Sequence, residues 1–333
     1  MMSIFFISII INVLIFFNNG RIAKLLKLHD KPDNIRKLHK SNIPLTGGIF
    51  VLSNIFIVII FLFTDSFYLE RIEIFNYKQD LILFSLSIML FFLIGFFDDK
   101  YEISASKKFL IMTIFLIPIV IFSDDLLIEQ IRLTFMETKY ILPLPVSIFW
   151  TILCFLLFIN AMNMFDGINY QVGLFSIFIC IFFVINNYFI ILFIPIIIGL
   201  LNFLFLNHKN KAFLGDNGSY LLAFIFSYFF VKIYNQEAHI YSDYIVLIMI
   251  IPGIDLIRLF ITRISKGYHP FKPDRNHLHH ILLRKCNLIT VNLIIQSLII
   301  LPSICGYYFG YTYLCLGFQI LIYFLLILSY RKN

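Results

Sequence analysis

Charge is scarce in this chain: Asp, Glu, Lys and Arg together make up only 14% of its 333 residues, and tryptophan occurs once. Soluble domains carry about 25% charged residues, so an ordinary solvated surface is excluded. Cysteine is sparse as well. The five, at 154, 180, 286, 305 and 315, form no CxxC pair and mostly lie in or beside apolar runs, which supports neither a zinc site nor a disulfide framework. They read as small apolar fillers. The chain also lacks internal repeats, low-complexity linkers and the apolar–polar alternation of a transmembrane barrel. Its longest polar segments are 19–43 and 263–290.

What is present is apolar. Hydrophobic residues make up 60% of the chain, 41 of them phenylalanine, and the mean hydropathy is +0.91. Windows long enough to cross roughly 30 Å of hydrocarbon as helices fall at about 2–18, 44–64, 81–97, 109–122, 146–162, 172–186, 188–206, 219–234, 244–262, 291–309 and 311–330. The chain therefore reads as an all-α integral membrane protein. It is one polytopic domain, 1–333, of about 11 transmembrane helices, or 10 if the tight turn at 186–188 does not separate two spans.

Lys and Arg set the expected orientation. With 19–43 cytoplasmic, 21 of the 26 basic residues lie inside and only Arg71, Lys78, Arg132, Lys139 and Lys232 lie outside. That bias puts the N-terminus outside and the C-terminus in the cytoplasm. The first apolar stretch ends at Asn18-Asn19-Gly20-Arg21 without a small-residue cleavage site, so it reads as a retained span. The net charge of +7 suits an anionic leaflet and anionic ligands. No nucleic-acid-binding module appears.

Every cluster that looks chemical falls on the expected inner side. NAMNMFDGINY, 160–170, sets three asparagines, an aspartate and a glycine at the mouth of a span. Asp98-Asp99 closes the run LFFLIGFF; adjacent carboxylates repel, and charge at membrane depth is costly, so an opposing cation is expected. Asp216 in FLGDNGS sits between two glycines at a helix entrance, where an anion is favoured and a hard cation can be bound. HPFKPDRNHLHH, 269–280, groups Lys272, Asp274 and Arg275 with His277, His279 and His280. Lys and Arg suit phosphate oxygens, and histidines donate to them or move protons. Lys37, His39 and Lys40 precede IPLTGGI, where a double glycine permits close helix packing. Metal-binding oxygens, phosphate-binding cations and histidines on one membrane surface describe phosphoryl transfer between a soluble diphosphate and a lipid phosphate.

DKPDNIRKLHKSNIPLTGGI (30–49), IGFFDDKYEIS (94–104), INAMNMFDGIN (159–169), FLGDNGS (213–219) and PFKPDRNHLHH (270–280) resemble, in order, the signature motifs of the polyprenyl-phosphate N-acetylhexosamine-1-phosphate transferases, glycosyltransferase family 4. The likeness is strongest to the bacterial undecaprenyl-phosphate N-acetylglucosamine-1-phosphate transferase branch.

The resemblance implies transfer of a sugar 1-phosphate, N-acetylglucosamine 1-phosphate first among candidates, from a UDP-N-acetylhexosamine to undecaprenyl phosphate. UMP is released, with Mg2+ or Mn2+ as cofactor. The setting is the cytoplasmic face of a bacterial inner membrane, at the first membrane step of a surface polysaccharide such as O-antigen or teichoic acid. The active-site loops are then about 19–43, 98–108, 163–171, 207–218 and 263–290, and a homodimer is a candidate assembly.

By the same resemblance Asp216 and Asn163 hold the metal, and Asp98 and Asp99 face the lipid phosphate. Asp166, Gly167 and Ile168 lie against the nucleotide, with Asn160, Asn169 and Asn207 in the same pocket. Lys40 and Lys108 contact phosphate, Arg275 the diphosphate, and His277, His279 and His280 hold the diphosphate and amino-sugar side.

Where the family commonly reads DGIDG, this chain has Asp166-Gly167-Ile168-Asn169-Tyr170. An amide replaces a carboxylate and a tyrosine replaces a glycine. Asn169 keeps one acceptor and adds two donors, which suits uracil better than a metal. Asp255 and Arg258, three apart inside a span, read as a structural ion pair. The reading from another class is a transporter or lipid flippase, which would place polar residues near the bilayer midplane and show internal repeats.

Overall fold

A computed structural model describes residues 2–32, 41–64, 75, 78–123, 125–271 and 274–331. Helices dominate it: α1 (Met2–Leu26), α2 (Gly47–Thr64), α3 (Lys78–Tyr101), α4 (Ala105–Phe122), α5 (Leu144–Phe165), α6 (Gln171–Ile185), α7 (Ile190–His208), α8 (Gly215–Gln236), α9 (Ser242–Ser265), the short α10 (Leu278–Leu282), α11 (Leu288–Phe309) and α12 (Thr312–Arg331). Two antiparallel two-residue pairs complete it, β1 (His29–Asp30) with β2 (Ile43–Pro44) and β3 (Gln130–Ile131) with β4 (Tyr140–Ile141).

Each of the eleven apolar windows carries a helix. Among the described residues, nine helices are long and apolar enough to cross a membrane; α6 is a shorter apolar helix of 15 residues, and α8 begins with polar residues. The fold is that of an all-α, multi-pass membrane protein. In lipid every backbone N–H and C=O must be satisfied within the protein, and helices do this segment by segment.

The chain divides into two compact units, one of residues 1–104 and 172–226, the other of 105–171 and 227–333. In the first, α1, α2 and α7 pack on one another. Small and amide side chains let them approach. Gly199 lies against the Asn54 amide and the Phe50 carbonyl, and Asn12 Nδ2 donates to Asn54 Oδ1 at 2.9 Å. Aromatic layers fill the remainder, with Phe91 stacked on Phe224 at 4.4 Å and Phe183 on Phe193 at 4.3 Å. In the second unit α9 packs on α5, α11 and α12, and α4 packs on α5. The β3–β4 pair is tied down there by Asp243, which accepts from the Thr134 N–H at 3.1 Å and from the Tyr313 hydroxyl at 2.5 Å.

Candidate active site

In the first unit, the double glycine and the FLGDNGS turn meet. The Gly47 N–H donates to the Phe213 carbonyl at 3.0 Å, the Gly48 N–H to the Leu214 carbonyl at 3.3 Å, and the Phe213 N–H to the Pro44 carbonyl at 2.8 Å. A β-carbon on Gly48 would fall 2.0 Å from Asn217 Oδ1 and 2.6 Å from the Gly218 nitrogen, so only glycine fits. One on Gly95 of α3 would meet the Asp216 carbonyl at 2.3 Å. Gly215 takes φ +74°, a left-handed turn that glycine adopts without strain, and it delivers the chain into α8.

Asp99 caps that entrance from a different helix. Its Oδ1 accepts the Asp216 N–H at 2.8 Å, its Oδ2 accepts the Asn217 N–H at 3.0 Å, and the Asn217 amide also donates to Oδ2. Two of the orphan N–H groups of α8 are satisfied by a carboxylate placed where the helix dipole favours it. Asn217 Nδ2 also reaches the Leu45 carbonyl at 3.1 Å, tying the double-glycine strand to the same turn. Asp98 is buried, 3% exposed; it accepts from the Ile103 N–H at 2.9 Å and the Tyr220 hydroxyl at 3.2 Å. Asp98, Asp99 and Asp216 are thus gathered at the α3–α8 junction. Asn207, at the end of α7, is buried and donates to the Ala212 carbonyl at 2.9 Å, which closes the turn that leads to FLGDNGS.

In the second unit, α5 ends at Asp166, whose N–H bonds back to the Met162 carbonyl at 3.1 Å and the Asn163 carbonyl at 3.2 Å. Asn160 Nδ2 bonds back to the Leu156 carbonyl at 2.7 Å. Gly167 follows, and a β-carbon there would lie 1.9 Å from His279 Nε2. The Asp166-Gly167 turn and the histidine helix α10 therefore touch. Tyr170 stands at φ +71°, and the expectation of glycine at this position has its reason in that left-handed backbone. From α11, Asn292 Nδ2 donates to the Asn169 carbonyl at 3.1 Å and Gln296 Nε2 to the Gln171 carbonyl at 2.8 Å, gripping the turn from the other side.

The three histidines form one cluster. The His277 and His279 rings are stacked at 5.2 Å and 11°, and His280 meets His279 edge-on at 4.3 Å. Burial, then the neighbouring His280 and His277, hold the His279 imidazole well below the usual histidine range. Burial, then His277 and Arg275, push His280 down to about 4. Both rings are neutral near pH 7, so they offer hydrogen bonds and no positive charge. Among the described residues of 269–280 the cation is Arg275, which is exposed. Asp274 braces the loop: burial raises its pKa, but the Arg263 guanidinium at 2.9 Å and the Asn276 N–H at 2.8 Å outweigh this and hold the carboxyl below its ordinary value. Lys108 lies half-buried in the first turn of α4. Lys40 and Lys272 lie outside the described residues.

The site residues expected from the sequence are divided between the units. Asp98, Asp99, Asn207 and Asp216 belong to the first, and Lys108, Asn160, Asn163, Asp166, Gly167, Ile168, Asn169, Arg275, His277, His279 and His280 to the second. Among the described residues no group of three or more His, Cys, Asp or Glu could hold a metal ion. Mg2+ commonly takes only one or two protein oxygens and completes its shell with water and substrate phosphate, so a hard oxygen such as that of Asp216, or that of Asn163, suits it chemically. Sequence reasoning passed over Asn217, Asn292 and Gln296. The last two stand four apart in an apolar helix, a spacing that places both on one face.

Comparison with known proteins covers about four-fifths of the chain. Residues 81–234 match the sequence pattern of glycosyl transferase family 4. A protein of Yersinia pestis, the undecaprenyl-phosphate alpha-N-acetylglucosaminyl 1-phosphate transferase, is 30% identical over 283 residues, 79% of this chain and 72% of the relative. Its counterpart in Escherichia coli O157:H7 is 29% identical over 286 residues, 81% of this chain and 73% of the relative. A Bacillus subtilis protein described as a probable undecaprenyl-phosphate N-acetylglucosaminyl 1-phosphate transferase is 26% identical over 274 residues, 79% and 72%.

Proposed function

The chain belongs to glycosyl transferase family 4, and on that premise we propose that it moves N-acetylglucosamine 1-phosphate from UDP-N-acetylglucosamine to undecaprenyl phosphate on the cytoplasmic face of a bacterial inner membrane. The observation that carries this reading is the match to relatives named for that transfer across about four-fifths of the chain.

In the proposed reaction an oxygen of the lipid phosphate attacks the β-phosphorus of the UDP-sugar. A new P–O bond forms, the bond from that phosphorus to the bridging oxygen breaks, and its electron pair leaves with UMP. Such transfer asks the protein mainly for positioning and charge neutralisation. Asp216 and Asn163 are the residues that would hold Mg2+, or Mn2+ in its place, which when bound supplies positive charge to the diphosphate oxygens. Asp98 and Asp99, fixed at the α3–α8 junction by the contacts described above, orient the acceptor phosphate. The Asp166-Gly167-Ile168 turn faces the nucleotide, Arg275 pairs with the diphosphate, and neutral His279 and His280 donate to it through N–H groups. One step suffices, because the lipid phosphate is already a competent nucleophile.

Purified protein incubated with undecaprenyl phosphate, Mg2+ and radiolabelled UDP-sugars is expected to move label from UDP-N-acetylglucosamine into lipid with equimolar UMP. Asp216→Ala should abolish transfer while leaving the unfolding free energy within about 0.5 kcal/mol of the parent, as for an ordinary partly exposed site. Transfer from a different UDP-N-acetylhexosamine alone would reassign the sugar. No transfer from any donor would sink the enzyme reading in favour of a carrier.

A further inference from the structure

Asp255 lies well inside α9 and is 6% exposed. A carboxylate in a membrane helix is costly until it is compensated, and a partner such as Arg258 would be sufficient compensation by itself. The structure supplies more than that. Oδ1 accepts from Arg258 at 2.8 Å, from the Tyr323 hydroxyl at 2.7 Å and from the Leu278 N–H at 3.2 Å; Oδ2 meets His277 Nδ1 at 3.0 Å. Arg258 then reaches past the carboxylate to the Asn276 carbonyl at 2.6 Å, and its Nε donates to Tyr323 at 2.5 Å. The pair therefore grips residues 276–278, the start of the histidine helix.

The partners define the proton. Arg258, the Leu278 N–H and Tyr323, whose own oxygen accepts from Arg258, all donate to Asp255. A carboxylate so surrounded is an acceptor only, and the ring nitrogen facing it must carry hydrogen. In a neutral imidazole that leaves the lone pair on Nε2.

We propose that Asp255 is a positioning residue for the transfer reaction: it locks His277 as the Nδ1–H tautomer, so that Nε2 accepts a hydrogen bond from a hydroxyl or amide N–H of the donor sugar. A lone pair on Nε2 repels phosphate oxygen, which separates the work of His277 from that of Arg275. The proposal rests on the phosphosugar-transfer reading of this site.

The primary test does not depend on turnover. In full-length protein labelled with 15N-histidine, the resonances that vanish in His277→Gln are expected to show the neutral ring with hydrogen on Nδ1 and a lone pair on Nε2. The opposite tautomer in the unsubstituted protein would overturn the proposal, whether or not any UDP-sugar is turned over. The second test is kinetic. Asp255→Asn presents an amide to the ring, and kcat/KM for the UDP-sugar should fall about 10- to 100-fold, the range for an unmatched buried hydrogen-bonding group. Affinity for UMP, which has no sugar amine to read, should not change. In the double variant with His277→Gln the losses should not add. A parallel fall in UMP affinity, or additive losses, would reduce Asp255 to a structural anchor. Absence of transfer by the unsubstituted protein would count against the enzyme reading alone, since the tautomer is still read directly.

Discussion

Tyr170 shows how one residue records a conflict between backbone and side chain. The turn after Asp166 needs a left-handed residue at 170, and the chain provides a tyrosine at φ +71°, a conformation that costs roughly 1–2 kcal/mol for a residue with a β-carbon. Tyr170→Gly is therefore expected to raise the unfolding free energy by about 1 kcal/mol, read as a higher melting midpoint in detergent. An unchanged or lower midpoint would mean that contacts of the tyrosine ring repay the strain. That 170 is an unusual position for tyrosine was legible in the sequence; that the cause is a positive φ was not, because it depends on Asn292 and Gln296 of α11, more than 120 residues away, holding the turn. The Asp255–Arg258 ion pair expected from the sequence is present at 2.8 Å, but its wider set of partners was not legible for the same reason. Arg258 three residues on is visible in the sequence, whereas His277, 22 residues on, enters only through the fold.

At the scale of elements, the apolar windows located the helices because lipid leaves little alternative to the helix. Their ends were less legible. The window 219–234 underestimates α8, which begins at Gly215, since its first turn is polar and is capped by a carboxylate from α3. Likewise α3 runs on through Asp98 and Asp99 to Tyr101, past the last apolar residue, because both carboxylates find donors. The cap and the double glycine act on the same joint, so Gly48→Ala should be disproportionately harmful. Its β-carbon meets backbone as well as side chain, and overpacking of this kind costs roughly 1–3 kcal/mol or more. Asp99→Ala should cost about 1–2 kcal/mol by uncapping α8. Thermal unfolding of both variants checks this, and a Gly48→Ala midpoint equal to the parent's would show that the joint has slack.

For the molecule as a whole, acid should be the vulnerable direction. His280 is pushed down to about 4 and His279 lies well below the usual range, whereas an unfolded histidine protonates near pH 6.5. The unfolded chain then binds protons that the folded chain refuses. Stability is full above about pH 6.5 and declines as pH falls from there toward 4. Asp274 acts in the same direction at lower pH, since its stabilisation is lost as the carboxyl protonates below its ordinary value. Melting midpoints from pH 7.5 to 4.5 should fall, and His280→Gln should flatten the slope; an unaltered slope would assign the acid sensitivity to other groups.

The interleaving of the two units bears on biosynthesis. Helices α1 to α3 leave the ribosome long before α7, on which α1 and α2 pack, because residues 105–171 of the other unit are made in between. Asn12 and Asn54 can pair with each other as soon as α1 and α2 are inserted, but Asp99 must wait in the bilayer for the Asp216 and Asn217 N–H groups of α8. The second unit stays incomplete until α12 is inserted. A nascent chain of this topology passes through a long interval in which half-made units are exposed to insertion factors and membrane proteases, so translation speed across 105–171 becomes a determinant of yield.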